Sequence, residues 1–331
     1  MRRVQSKVAR AILVPDVSRR SWDRLRPRAL DEVASFHADV IISTSPPHSI
    51  HALGRAAARQ LRLPWVADLR DPYLGSDHFG PTGSRRLLAT AHRRFERSIY
   101  DEASLVIHAH ELHYQEQIRR YPSAIDRLLV VPNGVPSAAL SLLSARKSSD
   151  PAGCCRIVTV GSCGKEAFVA LAAAVQRSPG DVTLEHAGHA TEAQATAADL
   201  LGTRFHQHGL VLHSEALALI ANADILALPQ TLSRRTMISS TSRLPEFMAT
   251  GKPVLVANPQ LGDRRLLDDY YADGWTEIDP PDLGTAWASA IRAARAGRFQ
   301  PELKSVERVR STFNRDHQAE AVRDRILELL Q

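Results

Sequence analysis

The sequence predicts an α/β protein built from two doubly wound, parallel-sheet domains in tandem. Three observations carry that expectation. Short apolar runs of strand length alternate with amphipathic stretches of helical length along the chain. The alternation lapses once, near the middle. The 331 residues exceed what one ordinary hydrophobic core organises.

In the first half the strand candidates are 39–44 (Asp-Val-Ile-Ile-Ser-Thr), 65–69, 104–108 and 128–132, each rich in Val, Ile or Leu. Helices are expected at about 47–62, 83–101 and 111–121. Another is expected over 21–36, where Trp22, Leu25, Ala29, Val33 and Phe36 recur at helical spacing. From 136 to 153 the chain turns to Ser, Ala, Lys, Asp, Pro and Gly, which marks a linker. The domains are therefore expected at 1–150, closing with that linker, and at 151–331. Alternation resumes with strands at 156–161, 182–188, 204–208, 224–228 and 253–257. Helices are expected at 165–177, 191–201, 214–222, 240–250, 282–296 and 316–330. Such sheets bind ligands beyond the carboxyl ends of their strands, so function is sought in the loops that follow strands and in a cleft between the two domains.

Bulk composition narrows the classes. No apolar run reaches the roughly 18 residues that span a bilayer. The basic amino terminus precedes only a short apolar run ending at Pro15 and lacks a small-residue cleavage site, so secretion is not expected. The three cysteines, Cys154, Cys155 and Cys163, are odd in number and crowded together, which points to a reducing cytoplasm rather than a disulfide framework. They make a poor zinc set, and the alternating pairs His108/His110 and His206/His208 are a weak metal signal, so no metal is expected. Charge is uneven: residues 1–150 hold 23 Lys+Arg against 15 Asp+Glu, and 151–331 hold 19 against 21. The basic half is either a set of solvated helix faces or an attraction for an anionic partner, a phosphate-bearing acceptor or an acidic membrane surface. Nucleic acid is not expected, because no aromatic residues interleave the basic ones in a binding motif.

The most informative stretch follows the strand that ends at Leu228. Ser239-Ser-Thr-Ser242 is placed to open a helix carrying Glu246 and ending near Gly251. Hydroxyls and free N–H groups at a helix start suit an anion such as a diphosphate, and an acidic side chain nearby can accept hydrogen bonds from ribose hydroxyls. An ordinary capped helix explains the same residues equally well.

Residues 223–229 (Ala-Asp-Ile-Leu-Ala-Leu-Pro) and 243–256 (Arg-Leu-Pro-Glu-Phe-Met-Ala-Thr-Gly-Lys-Pro-Val-Leu-Val) resemble the carboxyl-domain signature of family 4 glycosyltransferases. Residues 39–48, 64–72 and 131–135 are similar to amino-domain segments of that family, in the same order. The resemblance implies the GT-B fold, two Rossmann-like domains facing across a cleft. It also implies transfer of a sugar from a nucleotide diphosphate donor to an acceptor hydroxyl, with retention and without metal or cofactor. By that resemblance Glu246 holds the donor ribose, and Ser239 and Ser240, with Gly161 and Arg243 beside them, hold the diphosphate. Lys165 is the counterpart of the basic residue that neutralises the leaving group. Arg70 stands where some relatives carry a histidine near the reacting centre, and Asp71 would orient an acceptor hydroxyl. His48 and His51 are assigned to the acceptor side.

Two departures accompany the resemblance. The family's best-known motif pairs two glutamates, and Ile238 stands at the first position. No glycine precedes Gly54, where relatives begin with a strand and a Gly-rich loop, so the amino domain is expected to be shortened and to expose a sheet edge that invites a protein partner. These motivate an alternative: a catalytically impaired homologue that binds sugar nucleotide or partners an active glycosyltransferase. The expected acceptor is lipid-linked or a secondary metabolite, and the expected location is the cytoplasm, with peripheral contact to the inner membrane face through the basic amino half.

Overall fold

A computed structural model of the chain describes residues 14–16, 18–74, 88–144, 153–279 and 281–331. It divides into two compact units. One comprises Met1–Pro132, Met237–Ser239 and Ala319–Gln331; the other comprises Asn133–Thr236 and Ser240–Gln318.

In the first unit α1 (Arg19–Ser35), β1 (Ile41–Ser45), α2 (Ile50–Leu61), β2 (Trp65–Leu69), α3 (Ala89–Glu102), β3 (Leu105–His108), α4 (Glu111–Arg120) and β4 (Leu128–Val130) follow one another. The four strands are parallel and ordered β1-β2-β3-β4. One face buries Trp65, Ala67, Leu69 and Val106 with Ile99 and Tyr100 of α3. The other buries Val66, Leu105 and Ile107 against Val322, Ile326 and Leu329 of the helix that closes the chain. Helix α2 lies close on the sheet because Gly54 has no side chain; a Cβ there would fall 2.9 Å from Ser43 Cβ and Trp65 Nε1.

The second unit runs α5 (Ser137–Ser144), β5 (Cys155–Val160), α6 (Lys165–Gln176), β6 (Val182–Ala187), α7 (Glu192–Leu201), β7 (Phe205–Gly209), α8 (His213–Asn222), β8 (Ile225–Pro229), α9 (Leu244–Ala249), β9 (Val254–Ala257), α10 (Leu261–Tyr271), β10 (Trp275–Ile278), α11 (Leu283–Arg295) and α12 (Leu303–Thr312), and α13 (Arg315–Leu329) then passes into the first unit at Ala319. Its six parallel strands are ordered β10-β9-β8-β5-β6-β7, with helices packed on both faces. Chain order reverses at the β5/β8 pair, so a crevice opens beyond the carboxyl ends of those two strands. Phe168, Leu171, Trp287 and Ile291 fill one side of the sheet. Leu217, Ile220, Phe247, Met248, Val309 and Phe313 fill the other.

The expected α/β architecture is present, with corrections. The units divide after Pro132 rather than near residue 150. The expected linker contains α5, which buries Ala139, Leu140 and Leu143. Strand β10 and helices α10 and α12 were not expected. β10 is half-exposed and carries no apolar run, and α10 buries a polar Asp263 where its pattern wants an apolar residue.

Candidate functional site

The crevice of the second unit is lined by the loops after β5, β6 and β8, which touch backbone to backbone. Gly161, just past β5, has φ +79° and donates its N–H to Ala187 O at 2.7 Å. A Cβ on Gly188 would lie 2.6 Å from Gly161 O, and one on Gly164 would lie 2.6 Å from Gln230 C. The space a side chain would take at Gly161 is filled by Arg243, whose Nη1 is 2.5 Å from the ideal Cβ position and whose Nη2 donates to Ser162 O at 3.2 Å. Beneath it His186 is fully buried and hydrogen bonds through Nδ1 with Thr159 Oγ1 at 2.7 Å. Burial, reinforced by the charge of Arg243, pushes the His186 pKa down to about 4, so the arginine is the cation of this loop cluster at neutral pH.

Glu246, in the first turn of α9, is largely buried, and its Oε1 lies 2.8 Å from Nε2 of His213 at the start of α8. His213 was missed by the sequence reasoning. The two residues lie far apart in the chain, and only the packing of α8 beside α9 joins them.

The segment before α9 is held by a second unpredicted residue. Asp263 is fully buried and accepts from Thr241 N (2.5 Å), Gln230 Nε2 (2.5 Å), Thr241 Oγ1 (3.2 Å) and Gln260 N (3.2 Å). Burial raises its pKa, and the four donors oppose that rise. This tether corrects the expected helix start. α9 begins at Leu244, not near Ser239, with Pro245 in its first turn and no side-chain cap. Ser239 and Ser240 therefore lie in a loop, and they fall in different units, Ser239 with the first and Ser240 with the second.

Lys165 opens α6 and points into solvent, where Nζ lies 2.6 Å from Glu192 Oε2. Its pKa is raised by that partner, hydrogen bond first and charge second. The structure does not bring it to Arg243 by any bond described.

In the first unit Arg70 and Asp71 are exposed just past the carboxyl end of β2. His48 and His51, expected on the acceptor side, are both fully buried. Ser43 Oγ accepts from Trp65 Nε1 at 2.8 Å and lies 2.8 Å from His51 Nδ1, so the hydroxyl proton goes to His51. Burial drives the pKa of His51 down to about 3. His48 Nε2 lies 3.1 Å from Asp71 O, and its pKa is lowered, burial outweighing the help of that bond. His110, past β3, bonds to the backbone of Arg70 and is lowered to about 4, again by burial first. The loops after β1 and β3 thus prop the Arg70–Asp71 loop between them with neutral imidazoles. His108 and His113 face each other at 3.1 Å. Among the described residues no group of three His, Cys, Asp or Glu side chains could hold a metal ion, and no helix is long and apolar enough to cross a membrane.

Residues 2–134 match the family described as "Glycosyl transferase 4-like domain". No curated protein matches the chain. Among solved structures, a glycosyltransferase from Rickettsia africae superposes with a TM-score of 0.66 at 12% identity, over 93% of this chain and 81% of that one. HepE from Anabaena, in complex with UDP and glucose, superposes with a TM-score of 0.63 at 18% identity, over 92% of this chain and 82% of that one. The UDP-GlcNAc 2-epimerase from Neisseria meningitidis, bound to UDP-GlcNAc, gives 0.62 at 11% identity, over 96% and 84%. Residues 2–134 are thus similar to a glycosyl transferase 4-like domain, and the chain as a whole has the two-domain GT-B fold of these solved structures.

Proposed function

We propose that the chain transfers a sugar from a nucleotide diphosphate donor to an acceptor hydroxyl, with retention at the sugar carbon and without a metal ion. The observation that carries this reading is the Gly161–Arg243 pairing at the β5/β8 crevice, with Glu246 on the helix that Arg243 introduces. A glycine with φ +79° lets a phosphate approach the backbone, and a guanidinium already lies over it. As the glycosidic bond breaks, negative charge grows on the leaving diphosphate. A fixed cation that meets the charge lowers the barrier by several kcal/mol, roughly as other preorganised donors do. Arg243 takes that part, with Ser240 beside it and Ser239 on the neighbouring segment. Glu246, oriented by His213, accepts from the ribose hydroxyls. Lys165 joins the leaving group only by releasing Glu192, a solvent-exposed partner that holds it weakly. Arg70 and Asp71 serve the acceptor, Asp71 as the group that orients its hydroxyl. The HepE structure holds UDP and glucose, which supports UDP-sugars as the first donors to test.

Ile238, where the family carries its first glutamate, supports a second reading: a homologue that binds sugar nucleotide without turnover. A panel of nucleotide sugars, scored for binding and for donor consumption, separates the two. Consumption with an acceptor establishes transfer, tight binding without it favours the impaired homologue, and conversion of UDP-GlcNAc to its C2 epimer with no acceptor would replace both with an epimerase.

A further inference from the structure

The first unit contains a cavity of about 670 Å³ that the proposed transfer chemistry does not use. It is lined by Leu74, His92 and Tyr121 and by the first turns of α3, with Thr90, Arg93, Arg94 and Arg97 on that helix and Arg120 at the end of α4. Leu74 follows Asp71 by three residues in the segment after β2, and α3 leads from there back to β3.

Among the described residues the lining holds four guanidiniums and no carboxylate. Their surroundings divide them. Arg120 is committed: its Nη1 lies 2.9 Å from the buried Glu96, which also accepts from Tyr121 Oη at 2.8 Å and Leu74 N at 3.2 Å, and its Nη2 reaches Glu116 at 2.5 Å. Arg97 has a partner in Asp101 at 3.3 Å, both side chains exposed. Among the described residues Arg93 donates only to Thr90 Oγ1, at 3.4 Å, and neither Arg93 nor Arg94 belongs to an ion pair. Glu96 therefore holds the lining residues Arg120 and Tyr121 in place, while among the described residues Arg93 and Arg94 have no anionic partner. The N–H groups of that first turn carry no side-chain cap, and the helix dipole adds to the same positive field. Several guanidinium forks around one concave space suit a dianion with oxygens on more than one side, which is the geometry of phosphate rather than of a single carboxylate. The volume exceeds a phosphate alone and admits the group that carries it.

We propose that this cavity binds a phosphate group carried by the acceptor, with Arg93 and Arg94 as its principal contacts and Arg97 and Thr90 beside them. The site is separate from the donor crevice, and its assignment to the acceptor rests on the transferase reading above. It gives the basic excess of residues 1–150 a specific target. The ester is either soluble or the headgroup of a membrane lipid.

The test is calorimetric titration of glycerol 1-phosphate into the full-length protein and into R93A/R94A, R93K/R94K and R243A. Loss of two charge-assisted contacts should weaken phosphate binding about tenfold or more in R93A/R94A, with partial recovery in the lysine pair and a change within about twofold in R243A. A parallel UDP titration should leave R93A/R94A within about twofold of the parent. Sedimentation with phosphatidylcholine vesicles, with and without phosphatidic acid, identifies the source. Binding that needs phosphatidic acid and the two arginines assigns a lipid headgroup, and binding of the free ester alone assigns a soluble acceptor. The proposal is overturned if neither ester nor vesicle binds the parent, if R93A/R94A binds phosphate as the parent does, or if only R243A loses it. A parent that binds phosphate through Arg93 and Arg94 but does not bind UDP would remove the donor assignment and leave the phosphate site standing.

Discussion

Replacing Gly161 by alanine probes the donor crevice with a single methyl group, and the structure sets the expected size of the effect. Two costs arise. The residue sits at φ +79°, where an L side chain is strained by about 1–2 kcal/mol. The new Cβ would also lie 2.5 Å from Arg243 Nη1, closer than any real contact. The guanidinium is the far end of a flexible side chain, so it swings away and the backbone stays, which confines the stability loss to the strain. For a unit of this size, that lowers the melting temperature by roughly 2–8 °C. The displaced guanidinium no longer meets the diphosphate. A hydrogen bond to a charged group contributes about 1.5–3 kcal/mol, so UDP affinity should fall by roughly 10- to 150-fold. Differential scanning calorimetry and isothermal titration measure the two effects on one preparation, and R243A should reproduce the loss of affinity without the loss of melting temperature. If G161A binds UDP as the parent does, Arg243 is not a phosphate contact and the reasoning fails. If it melts unchanged, the backbone at 161 is not strained as described.

Three further outcomes are expected. Lowering the pH from 7.5 to 5 should destabilise the first unit more than the second, because buried neutral His51, His108 and His110 have pKa values lowered to about 3, about 3 and about 4. Their stabilisation is fully present above the unfolded value near 6.5 and is lost as pH falls toward the folded values, at about 2 kcal/mol per histidine by pH 5, offset in part by Asp68 and Glu96, whose raised pKa values act in the opposite direction. Hydrogen exchange resolved by segment checks this, and equal loss of protection in both units would contradict it. Asp263→Ala strands four buried donors around residues 230, 241 and 260, and should cost about 3 kcal/mol of stability together with most UDP binding; an unaltered denaturation midpoint would show that the tether is dispensable. Glu246→Gln keeps the shape of the ribose contact but weakens it, whereas His213→Ala frees the carboxylate to move; each should reduce affinity for UDP more than for inorganic pyrophosphate, and equal losses for the two ligands would place neither residue at the ribose.

What the sequence disclosed follows the physics of burial. β2, β3, β5 and β8 lie inside their sheets, covered on both faces, so Val66, Val106, Ile157 and Leu226 sit in continuous apolar runs that announce strands directly. β10 lies at an edge with Trp275, Thr276 and Glu277 half-exposed, and its pattern dissolves into that of a loop. α5 was hidden by its neighbours, because a helix of eight residues between Pro136 and a stretch of Lys, Ser and Asp has too few turns to show a period. In the site, Gly161 was legible as a glycine after a strand, and Glu246 through its resemblance. The burial of His48 was not, since it depends on the neighbouring strand delivering Asp71 O to its ring. Nor was the placement of Ser239 and Ser240, which a carboxylate twenty-odd residues downstream takes out of the helix by holding Thr241.

The chain leaves its first unit at Pro132, touches it again at Met237–Ser239 and returns to it at Ala319. The returning segment carries Val322, Ile326 and Leu329 on one stripe of α13 and lays them over Val66, Leu105 and Ile107. The amino unit is therefore not a contiguous piece of sequence. A fragment ending at Pro132 would expose three β-branched or leucine side chains of its own sheet to water, and removal of the last 13 residues would do the same to the whole protein. Expression of the amino half by itself requires the tail to be supplied, covalently or as a peptide in trans. During synthesis the first unit begins to emerge before the second and is completed after it.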